Sequence, residues 1–200
     1  MARAAQDPQR LSRALAAIDA ANAGDTNRIA VRGAQRPKEL AHAELASAWV
    51  ARLVPEASEA LRLAVRAHHV RRWEIPRSDF PADRAGYHRW RTTLQQHHAR
   101  IAGEILHEQG YDDATRARVQ DLVRKRGLGR DPEVQAFEDA LCLVFLETQL
   151  ADLASRMPDE KLVDVLHKTL RKMSPAAKGF AGALELGARE RLLLQRALHA

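Results

Sequence analysis

The stretch "ALCLVFLETQLADL" (residues 140–153) constrains the fold most, because it is apolar on every side for nearly two helical turns. A helix that is apolar all round must be surrounded by other helices. Just before it, Asp131 is a preferred N-cap residue and Pro132 suits a first helical turn. We therefore predict a central helix over about residues 133–156.

Helical periodicity continues through most of the 200 residues, and no segment shows a convincing alternating strand pattern. Aromatic residues make up only 4% of the chain, and the abundant Ala, Leu, Arg and Glu are strong helix formers. These features predict an all-α protein, a single compact domain of about seven to eight helices over residues 1–200. Besides the central helix, we predict helices over about residues 7–22, 37–53, 58–73, 87–109, 113–126 and 159–173, and a last one reaching the C-terminus.

Charge and cysteine content narrow the class of protein. The net charge is +6, which favours anionic partners, and the densest basic stretch is "RVQDLVRKRGLGR" (residues 118–130). The single cysteine, Cys142, cannot form a disulfide within the chain, and we interpret it as a small buried apolar residue. The sequence contains neither a stretch long enough to span a membrane nor the apolar core of a signal peptide. We expect a cytoplasmic protein without a membrane partner.

The segment "RLAVRAHHVRRWEIPR" (residues 62–77) ends a predicted helix with two histidines and several arginines. Such residues could bind a metal ion or a phosphate, or they could simply stabilise a helix C-terminus through its dipole. The apolar stripe of this helix places His68 toward the interior and His69 about a quarter-turn away. We regard the stabilising role as the simpler interpretation of this segment taken alone.

Two other predicted helices carry polar groups beside apolar stripes. His97 and His98 flank the apolar stripe of the helix predicted over about residues 87–109. Glu138, Asp139 and Glu147 lie along the predicted central helix. A buried carboxylate needs an arginine, a hydrogen-bond donor or a metal ion as a partner.

The order of histidine, histidine and acidic residue on a helical chain resembles the HD superfamily of metal phosphohydrolases. The resemblance implies a divalent ion held by histidines and aspartates. The pair corresponding to the family's His-Asp is His98-Ala99 here, which lacks the aspartate; Glu138 beside Asp139 could supply the missing oxygen ligand.

Several stretches together resemble the family known as domain of unknown function 4202. They are "ALAAIDAANAGDTN", "ELASAWVARLVPEASEALRLAVRAHHVRRWEIPRSDFP", "GYHRWRTTLQQHHARIAGEILHEQGY", "FEDALCLVFLE" and "EKLVDVLHKTLRKMS", within residues 14–174. The resemblance implies a helical fold and no established activity, and it favours His69 over His68. The positions that match the family pattern are Glu59, His69, Arg72, Trp73, Pro76, Arg77, Tyr87, Trp90, Arg91, His98, Glu138, Asp139 and Glu147.

From these residues we predict a polar pocket for a phosphorylated or otherwise anionic small molecule. His69, His98, Glu138 and Asp139 are the candidate acid–base groups of a hydrolase-like site. One divalent metal ion could be bound by His69, His98 and Asp139. Arg72, Arg77 and Arg91 are the candidate anion-binding residues, because guanidinium groups match phosphate and carboxylate.

Two alternatives stay open at the level of sequence. The chain could be a non-catalytic helical module that binds RNA or a protein partner through the basic residues near 116–130. The polar residues could also be purely structural, with Arg72 or Arg91 neutralising the carboxylates of the central helix. The sequence predicts no particular oligomeric state.

Overall fold

The computed structural model describes residues 9–31 and 33–199, and the secondary structure of this part of the chain is predominantly α-helical. This confirms the all-α prediction. The α-helices are α1 (Arg10–Ala23), α2 (Lys38–Leu53), α3 (Glu59–Arg66), α4 (Arg84–Glu108), α5 (Asp113–Val123), α6 (Pro132–Thr148), α7 (Leu150–Arg156), α8 (Asp159–Leu170), α9 (Pro175–Gly182) and α10 (Ala188–Leu198). Two short 3-10 helices, Arg72–Glu74 and Arg77–Asp79, lie between α3 and α4.

Helix α6 lies at the centre of the hydrophobic core. Its buried residues occupy every face, and Phe137, Leu143 and Leu146 are each at most 1% exposed. Asp131 is the N-cap, and its carboxylate accepts hydrogen bonds from the backbone N–H groups of Glu133 and Val134. The buried apolar residues form one cluster that extends from α1 to α10, and within it α6 packs against α2, α3, α5, α7 and α9.

The predicted central helix over 133–156 is wrong at its C-terminal end, where the chain forms two helices, α6 and α7. Gln149 lies between them with φ −122° and ψ −15°, outside helical geometry. The hydroxyl of Thr148 donates to the carbonyl of Val144, a bond that tends to bend helices. The stretch SPAAKG (residues 174–179), after which the last helix was predicted, lies largely within a separate helix, α9, and the last helix, α10, begins at Ala188.

The helix predicted over 58–73 ends earlier, at Arg66. Arg71 adopts a left-handed backbone conformation, with φ 52°, that an α-helix does not accommodate. His68 and His69 therefore lie in a series of turns after α3 rather than on a helix. This places their side chains side by side.

The structure also contains a small β-hairpin, in a segment where the sequence shows no convincing strand pattern. Strands β1 (Arg28–Val31) and β2 (Ala34–Pro37) pair antiparallel, with Arg28 opposite Pro37. The strands have four residues each and are largely solvent-exposed, so they carry little of the apolar alternation that identifies a strand. None of the described helices is long and apolar enough to span a membrane.

Candidate functional site

An open cavity of about 420 Å³ lies between the turns after α3, the first half of α4, the end of α5, helix α6 and helix α8. Its wall combines cationic, aromatic and imidazole side chains. The polar and aromatic residues that line it include His68, His69, Arg72, Tyr87, Trp90, Arg91, His98, Lys125, Phe137, Glu138, Lys168 and Lys172.

The cavity has an excess of positive charge. Five cationic side chains line it, and their carboxylate partners are three: Glu138 pairs with Lys125 and Lys172, Glu39 with Arg72, and Asp164 with Lys168. Five cations against three carboxylates leave two positive charges without a compensating carboxylate. Arg91 donates a hydrogen bond to the hydroxyl of Tyr87, and its charge acts on Glu138 together with the charges of Lys125 and Lys172.

Three imidazoles form one wall of this cavity. The ring centroids of His68 and His69 are 4.2 Å apart, and those of His69 and His98 are 5.5 Å apart. The Nδ1 atom of His68 lies 2.8 Å from the carbonyl oxygen of Val65, and that of His98 lies 2.9 Å from the carbonyl oxygen of Val70. Both Nδ1 atoms are therefore hydrogen-bond donors, since a carbonyl oxygen only accepts.

The third imidazole, His69, is held by a buried carboxylate. Its Nδ1 lies 3.1 Å from Oε2 of Glu39, and Glu39 is only 4% exposed, in the first turn of α2. Nε of Arg72 and Nδ1 of His42 approach the same carboxylate, at 3.7 and 3.6 Å. Burial raises the pKa of the Glu39 carboxyl, but the interactions with His69 and His42, including their hydrogen bonds to the carboxylate, outweigh burial and hold this pKa well below its usual range.

Burial keeps the histidines of this wall neutral. It lowers the pKa of His68 well below the ordinary value, and it lowers the pKa of His69 although Glu39 opposes the shift. The pKa of His98 falls to about 3, chiefly through burial and with a contribution from the charge of Arg72. At neutral pH each imidazole therefore has one N–H and one lone pair. Nε2 of His98 is buried and has no hydrogen-bond partner.

Glu138 is the carboxylate of the cavity wall. Burial raises the pKa of its carboxyl, but the charges of Lys125 and Lys172 more than offset this and lower the pKa overall. Next to it, burial and the charge of Glu138 raise the pKa of the Cys142 thiol to about 12. Cys142 is therefore a protonated, unreactive thiol at neutral pH, as expected for a small buried residue.

Of the predicted site residues, the structure brings His69, His98, Glu138, Arg72 and Arg91 to this one cavity. Two others have different partners. An oxygen of Asp139 accepts hydrogen bonds from the side-chain amide of Gln135 and from the backbone N–H of Ser174, the N-cap residue of α9. The guanidinium of Arg77 donates to the carbonyls of Phe80 and Pro81. These contacts make Asp139 and Arg77 structural anchors of neighbouring segments.

The metal ligand set predicted from sequence, His69, His98 and Asp139, is not brought together. Within residues 9–31 and 33–199, one group of three places potential ligand atoms within 4.8 Å of one another: Glu39, His68 and His69. Glu39 had no local signal in the sequence, because its role depends on the packing of α2 against the turns after α3. Lys168 and Lys172 were missed for the same reason, since they reach the cavity from α8 and the turn after it.

The basic stretch near residues 116–130 is largely compensated within the protein. Arg118 pairs with Asp131 and Glu133, and Lys125 pairs with Glu138. In addition, Arg116 pairs with Asp113 and Arg126 pairs with Asp121. These ion pairs reduce the positive potential that a nucleic-acid interface would use.

Comparison with known proteins gives one match. No curated protein and no solved structure is significantly similar to the chain. The family model described as domain of unknown function (DUF4202) matches residues 12–194, which confirms the resemblance seen in the sequence. Because this match covers most of the 200 residues, the chain belongs to the DUF4202 family.

Proposed function

We propose that the protein binds a phosphorylated or otherwise anionic small molecule in the cavity and hydrolyses it at the imidazole wall. The observation that carries the proposal is the combination of two uncompensated positive charges with three neutral histidines in one open cavity. A phosphate monoester is a dianion near neutral pH, so its charge matches the excess.

The cations provide the binding. Arg72 begins the first 3-10 helix and Arg91 lies on α4, and both arginines line the cavity. Lys125 and Lys172 also line it and share the single charge of Glu138. Guanidinium groups present a planar set of donors that suits phosphate oxygens, whereas lysines act as point charges. Leu94, Phe137 and Phe145 supply apolar surface for the organic part of the ligand.

The imidazoles provide the chemistry. A neutral imidazole can accept a proton from water or bind a metal ion that acidifies water. In the hydrolysis of a monoester, the oxygen of water forms a bond to phosphorus and the ester P–O bond breaks. One proton of the water is transferred to the departing alcohol oxygen, so the products are the alcohol and inorganic phosphate.

Phosphate binding tests the cationic part of the proposal. We expect Arg91→Gln to weaken binding of inorganic phosphate by about tenfold, the loss expected for about 1.4 kcal/mol of interaction. The matched control is Arg89→Gln, an exposed arginine on the same helix that does not line the cavity. Isothermal titration calorimetry at low salt measures both. Undetectable binding to the unchanged protein, or equal weakening in the two variants, would contradict an anion site in this cavity.

Hydrolysis of 4-nitrophenyl phosphate tests the chemical part. His69→Asn keeps a side-chain N–H donor for Glu39 but removes the imidazole lone pair. We expect it to reduce the rate by about 100-fold or more, the usual contribution of a proton-transferring group, and to leave phosphate binding nearly intact. A rate that does not change in this variant would exclude His69 from the reaction.

A further inference from the structure

Glu39, His68 and His69 bring one carboxylate and two imidazoles together from separate parts of the chain. Glu39 lies in the first turn of α2, whereas both histidines lie in the turns after α3. One potential ligand atom from each of the three side chains lies within 4.8 Å of the other two. Glu39 and His68 are 4% and 5% exposed, while His69 is only partly buried, and both histidines line the cavity. The group is therefore buried at Glu39 and open to the cavity at His69.

The two oxygens of the Glu39 carboxylate face different partners. Nε of Arg72 lies 3.7 Å from Oε1, whereas Nδ1 of His69 lies 3.1 Å from Oε2. Two ligand atoms of one tetrahedral zinc ion, with bonds of about 2.0–2.1 Å, lie about 3.3 Å apart. Oε2 and Nδ1 of His69 are thus separated almost as two ligands of one ion are, and the guanidinium is on the other oxygen.

His42 holds the carboxylate from a third direction. Its Nδ1 lies 3.6 Å from Oε2 of Glu39, and its Nε2 lies 3.3 Å from the hydroxyl of Thr148. His42 lies outside the group of three potential ligands. We therefore regard it as a residue that orients Glu39 rather than as a ligand.

The ring of His68 is oriented as a metal-binding histidine usually is. Its Nδ1 donates to the carbonyl oxygen of Val65, at 2.8 Å, which leaves the lone pair on Nε2. Histidines that bind metals characteristically donate their other N–H to a carbonyl or carboxylate in this way. The ring centroid of His68 lies 4.2 Å from that of His69. Because 4.8 Å exceeds the separation within a bound site, we expect the side chain of His68 to rotate slightly when an ion binds.

We propose that Glu39, His68 and His69 bind one divalent transition-metal ion of the zinc class, through Oε2, Nε2 and Nδ1 respectively. Two imidazoles and one carboxylate form a ligand set of catalytic zinc sites, which keep a fourth position open for water. Imidazoles favour zinc, cobalt or copper, whereas magnesium and calcium prefer sites made of oxygen ligands alone. On binding, the ion takes the place of the proton on Nδ1 of His69, and that proton moves to Nε2 of the same ring. The site does not rest on the proposed hydrolysis, because it needs no anion.

Cobalt binding to the full chain tests the site without any substrate. Co²⁺ takes the place of Zn²⁺, and its visible spectrum reports its coordination. We expect one Co²⁺ per chain. Glu39→Gln removes the charged ligand at nearly constant size, and His69→Asn removes an imidazole. Loss of a group that merely orients a ligand costs about 10- to 100-fold in affinity, so each of these variants should weaken Co²⁺ binding by about 100-fold or more.

Two control variants make the test specific. His98→Asn removes a histidine that lines the same cavity but lies outside the group of three, so its Co²⁺ affinity should be nearly unchanged. His107→Asn removes an exposed histidine of α4 and controls for binding at the surface.

If a variant does not fold, as judged by circular dichroism, nitrogen-15 spectra of the unchanged protein provide the same test. Added Zn²⁺ should shift the resonances of Nδ1 of His69 and Nε2 of His68, and those of His107 should stay in place.

Three outcomes would overturn the proposal. One is the absence of stoichiometric Co²⁺ or Zn²⁺ binding to the unchanged protein. Another is unchanged affinity in Glu39→Gln, which would exclude the carboxylate as a ligand. The third is a loss in His98→Asn as large as that in His69→Asn, which would place the ion elsewhere in the cavity. None of these measurements includes phosphate or an ester, so failure of this site and failure of the proposed function are distinguishable.

Discussion

Glu39 shows how one buried carboxylate can organise several side chains. Its own backbone N–H donates to Asp25, which fixes the start of α2. Its carboxylate then accepts from His69 and lies near Arg72. Because the positive end of the helix dipole is found at the helix N-terminus, the ionised form is favoured there. Substituting Glu39 would therefore alter both the orientation of the His69 imidazole and the charge at the cavity wall.

Asp131 gives a prediction on pH and stability. The hydrogen bond from Arg118, aided by backbone N–H groups of α6, lowers the pKa of its carboxyl to about 2. The group is thus ionised more readily in the folded chain than in the unfolded chain, where its pKa is about 3.9. The resulting stability is present above about pH 4 and is lost as pH falls toward 2. Asp131→Asn keeps the cap but removes the charge, so its melting temperature should be lower at pH 6 and should approach that of the unchanged protein near pH 2.

The control for this experiment is Asp164→Asn. Asp164 and Lys168 form an ion pair in which both side chains are more than 60% exposed, and such pairs contribute little to stability. The melting temperature of Asp164→Asn should therefore equal that of the unchanged protein at both pH 6 and pH 2. A difference for Asp131→Asn that stays constant from pH 6 to pH 2 would contradict the assignment of the shift to Asp131.

At the scale of helices, two glycines provide a matched comparison. Gly86 lies in the first turn of α4, where an added Cβ would overlap the carbonyl oxygen of Pro81. Gly179 lies in α9 with nothing within 4 Å of such a Cβ. Alanine stabilises a helix interior by about 0.5–1 kcal/mol relative to glycine. We expect Gly179→Ala to raise the melting temperature by a few degrees.

Gly86→Ala should instead lower the melting temperature, because overpacking against a backbone atom costs about 1–3 kcal/mol and exceeds the gain in helix propensity. Thermal unfolding followed by circular dichroism measures both variants. Stabilisation in both would mean that the link between Pro81 and α4 can move aside without cost.

The sequence predicted helices well where buried residues recur at helical spacing. It predicted their ends poorly, because the conformation of a few residues determines where a helix stops. The stripe of α4 and the apolar surface of α6 were readable because their side chains face the core at helical spacing. The early end of α3 at Arg66, followed by turns that include the left-handed Arg71, has no local pattern in the sequence. His69, His98 and Glu138 were predicted because polar groups beside apolar stripes need partners. Asp139 also needed partners, but it found them in Gln135 and the start of α9.

At the scale of the whole molecule, the charge of the cavity makes binding of an anion depend on ionic strength. Two uncompensated positive charges attract a dianion, and dissolved salt screens that attraction. We therefore expect methylphosphonate to bind more weakly at high salt than at low salt, and calorimetry at the two salt concentrations measures the difference. An affinity that does not change with salt would contradict an anion site based on these charges.

Trp90 gives the cavity a built-in optical probe. Its indole N–H donates to the carbonyl of Ile75, and the guanidinium of Arg72 lies 4.8 Å from its ring centroid. The ring is therefore held in the cavity wall beside a charge that a ligand would displace or screen. Of the two other tryptophans, Trp49 lies against Phe180 and Trp73 lies near Gly24, and neither lines this cavity. Intrinsic fluorescence can thus follow occupancy of the cavity in the unlabelled protein, with Trp90 as the emitter that changes.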